Sequence, residues 1–178
     1  MLILWGQSAG NQRKIIFQVG SSETKRLEIS IKNKKVNRMN LQSQWIVGFT
    51  DGEGCFHTSI VKVNDMKLGL RPIPEFTIVQ HERNIQVLYA LKRFFGCGIV
   101  KINHGKRYSF CVRNIEHLKE KILPFFEKHK LKTRKRQEFI IFRRIILSMH
   151  NKNHLTGDGL KQIHKWSDAL KKLKKIEI

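Results

Sequence analysis

Cysteine, proline, acid and long apolar runs are all scarce in this chain of 178 residues. Its three cysteines, Cys55, Cys97 and Cys111, are an odd set with no C-x-x-C spacing. That argues against a disulfide framework and against a zinc site, and the three read as reduced, partly buried thiols. Cys97 and Cys111 are spaced to meet across a hairpin, where a chance pairing of small apolar residues explains them better than a bridge. No apolar stretch reaches the roughly 20 residues that span a bilayer, so no membrane partner is expected. Met1 to Leu4 is too short an apolar segment for a secretory signal. Acids number 14 against 35 lysines and arginines, a formal charge of +21. A surface that only had to be solvated would not need that imbalance, which points to a polyanionic partner, most often nucleic acid. The length suits one domain with a sizeable core.

The pattern of residues divides the chain in two. Residues 1–40 show little hydrophobic periodicity beyond Ile15-Ile16-Phe17 and carry a basic run through Lys32, Lys34, Lys35 and Arg38. They form a basic extension that either helps hold phosphate or is a leader of no function. Residues 41–178 form the domain. The frequent Ile, Lys, Asn and Phe fit an A+T-rich genome such as an organelle's, with a chloroplast ranked ahead of a mitochondrion.

Within the domain, apolar spacing predicts a helix over 42–52, then a strand over 55–63 with Phe56, Thr58 and Ile60 on one face and His57, Ser59 and Val61 on the other. A loop from Asn64 to Pro74 leads to a strand over 75–80, with Pro74 allowed only at its start. Ile85, Leu88, Tyr89 and Phe95 mark a helix over 83–95 that Gly96-Cys97-Gly98 stops. Two short strands flank His104-Gly105-Lys106, pairing an apolar face with a cationic one. Three helices follow, on Ile115/Leu118/Ile122/Phe125 (with Pro124 near its end as a distortion), on Phe139/Phe142/Ile146/Met149, and on Ile163/Trp166/Leu170/Leu173. The order predicts an α+β domain, a four-stranded antiparallel sheet backed by helices.

One stretch is out of the ordinary: Trp45-Ile46-Val47-Gly48-Phe49-Thr50-Asp51-Gly52-Glu53-Gly54. Gly48 interrupts an apolar helix at a cost of about 1 kcal/mol relative to alanine, which suggests that another backbone comes close. Asp51 and Glu53 stand at the carbonyl end of the helix, where the macrodipole disfavours acids. Two acids in that position ask for a cation. Only one such stretch occurs in the chain.

These ten residues resemble the LAGLIDADG homing endonuclease motif in its G-F-x-D-G-E-G form. Two further segments are similar to segments of the same family: Leu131-Lys132-Thr133-Arg134-Lys135 ahead of Phe139, and Asn153-His154-Leu155-Thr156-Gly157-Asp158-Gly159-Leu160. The resemblance covers roughly 41–173 and implies the family's αββαββα fold with a saddle-shaped sheet. It implies that Glu53 is the main ligand of a divalent metal, Mg²⁺ with Mn²⁺ as a substitute, beside the Gly52 carbonyl. Asp51 either joins them or hydrogen-bonds the turn. Gln80 is implied as a water-positioning residue, and Arg134 or Lys135 as the cation near the scissile phosphate. Arginine at 134 departs from the lysine usual there and serves by charge alone.

One motif supplies one carboxylate, and a two-fold dimer would supply the second. The implied interface is Trp45, Gly48 and Phe49, with double-stranded DNA cut across the minor groove at a long, partly palindromic site. The outward sheet face offers His57, Ser59, Arg71, Glu75, Thr77, Lys101, Asn103, Arg107 and Ser109 to base edges. Lys161, Lys165, Lys171, Lys172, Lys174 and Lys175 either touch phosphates or solvate the last helix. Two other functions fit the same fold and charge: an RNA maturase that binds intron RNA, and a DNA-binding regulator without catalysis. The acid at position 53 favours the nuclease.

Overall fold

A computed structural model describes residues 39–64 and 66–175. The basic extension expected over 1–40 lies, but for its last two residues, outside the described residues. The first helix, α1 (Ser43–Glu53), buries Ile46, Val47 and Thr50. Its opposite side carries Trp45, Gly48, Phe49 and Gly52, at the spacing of one helical face. Strand β1 (Gly54–Lys62) follows with no intervening loop. Gly54 makes this possible. Its N–H caps the Thr50 carbonyl, and a Cβ there would stand 2.5 Å from Thr50 Cγ2 and 2.6 Å from that carbonyl oxygen.

Strand β2 (Leu70–His81) leads through a 3₁₀ turn (Glu82–Asn84) into α2 (Ile85–Phe95), then β3 (Ile99–His104) and β4 (Arg107–Val112). The sheet runs β1-β2-β4-β3 with every neighbouring pair antiparallel. The ladders Phe56↔Phe76 and Ile78↔Phe110 put three phenylalanines on the inner face, all fully buried. Phe126, Phe139 and Phe142 from the helices close over them. Ring centroids lie 5.3–5.7 Å apart where these meet Phe56 and Phe76, within the range of favourable aromatic contacts.

Two details differ from the sequence reading. Strand β2 starts at Leu70, five residues ahead of the expected Glu75, and runs through Pro72 and Pro74. The ladder to β4 ends at Phe76↔Val112. Ahead of Phe76 the strand has β1 on one side only, so a missing proline N–H costs no ladder bond. Pro124 likewise is no terminal distortion. It opens α4 (Leu123–Lys128), behind a short α3 (Ile115–His117) and a π turn (Leu118–Ile122). The wider turn relieves the crowding that a proline brings to the carbonyl one turn back.

Helix α5 (Lys135–His150) packs on the sheet. A 3₁₀ turn (Asn153–Leu155) then leads to α6 (Gly157–Lys175), where Thr156 Oγ1 accepts from Gly159 N at 3.2 Å as a cap. Helix α6 lies along the free edge of β1. Ser167 Oγ donates to the Thr58 carbonyl at 2.8 Å, and Lys174 Nζ to the Phe56 carbonyl at 2.6 Å. Open strand edges invite pairing with other chains, and here the helix takes up the carbonyls. All three cysteines are free thiols.

Phe56 touches four other aromatic rings. Replacing it by alanine is expected to cost about 3–5 kcal/mol, read as a lower urea midpoint with an unchanged slope.

Candidate active site

The carbonyl end of α1 sits at the rim of the sheet, and three segments meet there. Glu53 is exposed at the last position of the helix, among backbone carbonyls that have no intrahelical partner. The ladder Gly54↔Ile78 brings the end of β2 to the same rim, so Gln80 lies two residues beyond the junction. Its Oε1 accepts from Asn84 Nδ2 at 3.4 Å.

The third segment is the basic loop ahead of α5, and Asp51 ties it in place. Asp51 Oδ2 accepts from Lys132 N at 2.9 Å, while Oδ1 accepts from Thr133 N at 3.2 Å and from Thr133 Oγ1 at 2.8 Å. The Thr133 hydroxyl in turn accepts from Lys135 N at 3.2 Å, capping the first turn of α5. Leu131, buried, anchors the loop from below. A residue of the motif helix is thereby joined through one threonine to a helix some 80 positions away in sequence. Asp51 hydrogen-bonds a turn, as one of its two expected roles had it, and the turn is that of the basic loop.

The two cations of that loop differ. Lys135 Nζ stands 3.4 Å from Glu138 Oε1, with both side chains largely covered. Arg134, half-buried, holds the N-cap position of α5. Among the described residues no group of three or more His, Cys, Asp or Glu converges. A single chain therefore offers one exposed carboxylate, one hydrogen-bonded carboxylate and helix-end carbonyls. Hard oxygens in an open arrangement suit a cation that keeps several of its waters, as Mg²⁺ does, and do not build the closed four-ligand cage of structural zinc.

The residues expected on the outward face of the sheet differ in exposure. His57 faces Glu75 across β1 and β2, Thr77 faces Cys111, and Lys101 faces Ser109. Arg71, Asn103 and Arg107 are exposed, Ser59 is half-buried, and Ser109 is buried with no partner for its Oγ. Burial, and then Lys174, push the His57 imidazole below its ordinary pKa. At neutral pH it is uncharged, with one ring donor and one ring acceptor. Burial and a hydrogen bond to Glu75 push the Cys111 thiol up to about 11, so it stays protonated.

Four apolar residues share this face: Val61, Ile73, Val79 and Ile99, the last 54 % exposed. The alternation through Arg71, Glu75 and Thr77 places Ile73 on this face once the strand starts at Leu70, and Val79 by the expected strand alone. Arg113, one residue past β4, was also passed over. Its Nε donates to the Glu75 carboxylate.

Comparison with known proteins fits this geometry. Residues 46–146 match the model of the LAGLIDADG endonuclease family. A probable intron-encoded endonuclease 2 of Neurospora crassa is 32 % identical over 127 residues, which is 71 % of this chain and 26 % of that protein. The crystal structure of the homing endonuclease I-TnaI aligns with a TM-score of 0.71 at 46 % identity, over 77 % of this chain and 98 % of that one. The meganuclease I-SmaMI bound to uncleaveable DNA aligns with a TM-score of 0.70 at 32 % identity, over 72 % of this chain and 45 % of that one. The chain belongs to the LAGLIDADG endonuclease family. It spans about a quarter of the length of the fungal relative and nearly all of I-TnaI.

The Asp51–Thr133 tether makes a direct prediction. Asp51→Asn and Thr133→Val should each lower stability by about 1–2 kcal/mol, and the double variant by clearly less than the sum. A double-mutant cycle in urea measures that coupling.

Proposed function

We propose that the protein is a site-specific homing endonuclease, encoded in an organellar intron, that cuts both strands of a long, partly palindromic DNA target. The observation that carries this reading is the end of α1. There an exposed carboxylate, in a place the helix dipole disfavours, stands at the rim of a basic sheet face, with a cationic loop bound to the same helix. The net charge of +21 supplies the attraction to a polyanion.

Glu53, with the Gly52 carbonyl, is the proposed holder of a divalent cation, Mg²⁺ first and Mn²⁺ as its substitute. When bound, such an ion polarises the scissile phosphate and lowers the pKa of a coordinated water. Gln80, at the rim, orients the attacking water through its amide. Arg134 offers fixed positive charge to the phosphate as it gains negative charge. Lys135, its ammonium paired with Glu138, is the other candidate cation of the same loop. Asp51 contributes by holding the loop, with its oxygens occupied by Lys132 and Thr133.

Two strands need two such sites, and the outer face of α1 supports a homodimer. Trp45 is 44 % exposed and stacks on Phe49 at 4.6 Å. Beside them, a Cβ at Gly48 would meet nothing within 4 Å. Packing among the described residues does not require that glycine. A second copy of α1 crossing at Gly48 does, and a two-fold axis there presents each residue twice. The two Glu53 carboxylates would then lie near each other and repel without a cation to neutralise them.

Glu53→Gln is expected to bind the intron-less allele of the host gene as tightly as the wild type and to leave it uncut in Mg²⁺. Equal cutting by both proteins would sink the assignment. Gly48→Leu should keep the fold by circular dichroism yet sediment as a monomer where the wild type sediments as a dimer. Identical sedimentation would remove α1 from the interface.

A further inference from the structure

Arg113 follows β4 directly, and continuing the ladder Phe76↔Val112 by one step sets it opposite Glu75 on the outward face. Its Nε donates to Glu75 Oε2. The two partners are unequally covered: the Glu75 side chain is 18 % exposed, that of Arg113 56 %. On the far side Glu75 is paired in register with His57 of β1, uncharged at neutral pH. Glu75 is thus mostly covered, flanked by Arg113 and His57, with its Oε2 accepting from Arg113. A carboxylate in that position is ill suited to accept from a cytosine amine.

The guanidinium is the reverse case. It carries five N–H donors in a rigid plane, and Glu75 takes the one nearest the chain. A bond at Nε to a mostly covered partner restrains this half-exposed side chain. Pre-orienting a long side chain removes part of the ordering cost of using it. Guanine presents two adjacent acceptors, O6 and N7, in the major groove, and an arginine fork matches them.

We propose that Arg113 reads one guanine in each half of the DNA target and that Glu75 is its positioning residue, not itself a base contact. This rests on the duplex recognition proposed above, but not on cleavage.

The test is selection of bound duplexes from a randomised DNA library by the full chain, with no cutting required, followed by competition binding at fixed salt. The wild type should enrich guanine at one position per half-site. Arg113→Ala should lose about tenfold of its preference there while keeping the other positions. Arg113→Lys, which keeps charge and fold but not the fork, should lose the same preference. Glu75→Gln should weaken it at the same position and bring no new preference for or against cytosine. Three results would overturn the proposal. One is an unchanged position in the two Arg113 variants. Another is a position relaxed by Glu75→Gln alone. The third is a uniform loss of affinity over all sequences, which would mark a phosphate contact. A chain that selects no duplex at all overturns this proposal and the DNA reading together. A chain that selects duplexes yet cuts none overturns only the nuclease.

Discussion

Everything at the proposed site depends on one close approach, the contact of Gly54 with Thr50 that lets α1 become β1 without a loop. A loop there would let the end of the helix drift relative to the sheet. With none, the position of Glu53 is set by the strand that follows it, and that strand is registered against β2 residue by residue from Gly54↔Ile78 onward. Two surfaces with different tasks, an acidic helix end and a basic sheet face, are thereby built into one rigid piece. Preorganisation of this kind is what electrostatic catalysis needs, because groups already in place do not have to reorganise as charge develops.

The inner side of the sheet explains how so basic a chain holds that piece together. Like charges spread over the surface repel one another and weaken the compact state. The opposing term is a continuous aromatic core, in which Phe56, Phe76, Phe110, Phe126 and Phe142 are fully buried. Their rings meet both edge-on and stacked, so the sheet and two helices share one packed volume. Asp51 works against the same repulsion locally, since it neutralises part of a loop that is otherwise cationic from Lys128 to Arg136.

Much of this was legible in the sequence because it rests on local patterns. The ten-residue motif, the alternation of Phe56, Thr58 and Ile60, and the helical spacing of Phe139, Phe142 and Ile146 each fix an element without knowledge of its neighbours. What escaped the reading depends on neighbours. Pro72 and Pro74 argued for a loop because nothing in the sequence tells that β4 stops short of them. Pro124 looked like a terminal fault because a π turn has no simple sequence signature. Asp51 stayed open between two roles because its partners Lys132 and Thr133 are some 80 residues distant. Arg113 stayed out of view since its partner is set by a ladder, not by spacing.

The position of α6 has a consequence for how such chains can gather. With the Phe56 and Thr58 carbonyls of β1 already bonded to Lys174 and Ser167, that border offers no row of bare acceptors for a neighbouring chain to dock against. Growth of the sheet by lateral addition is blocked on that flank, and with it one route to fibrous misassembly.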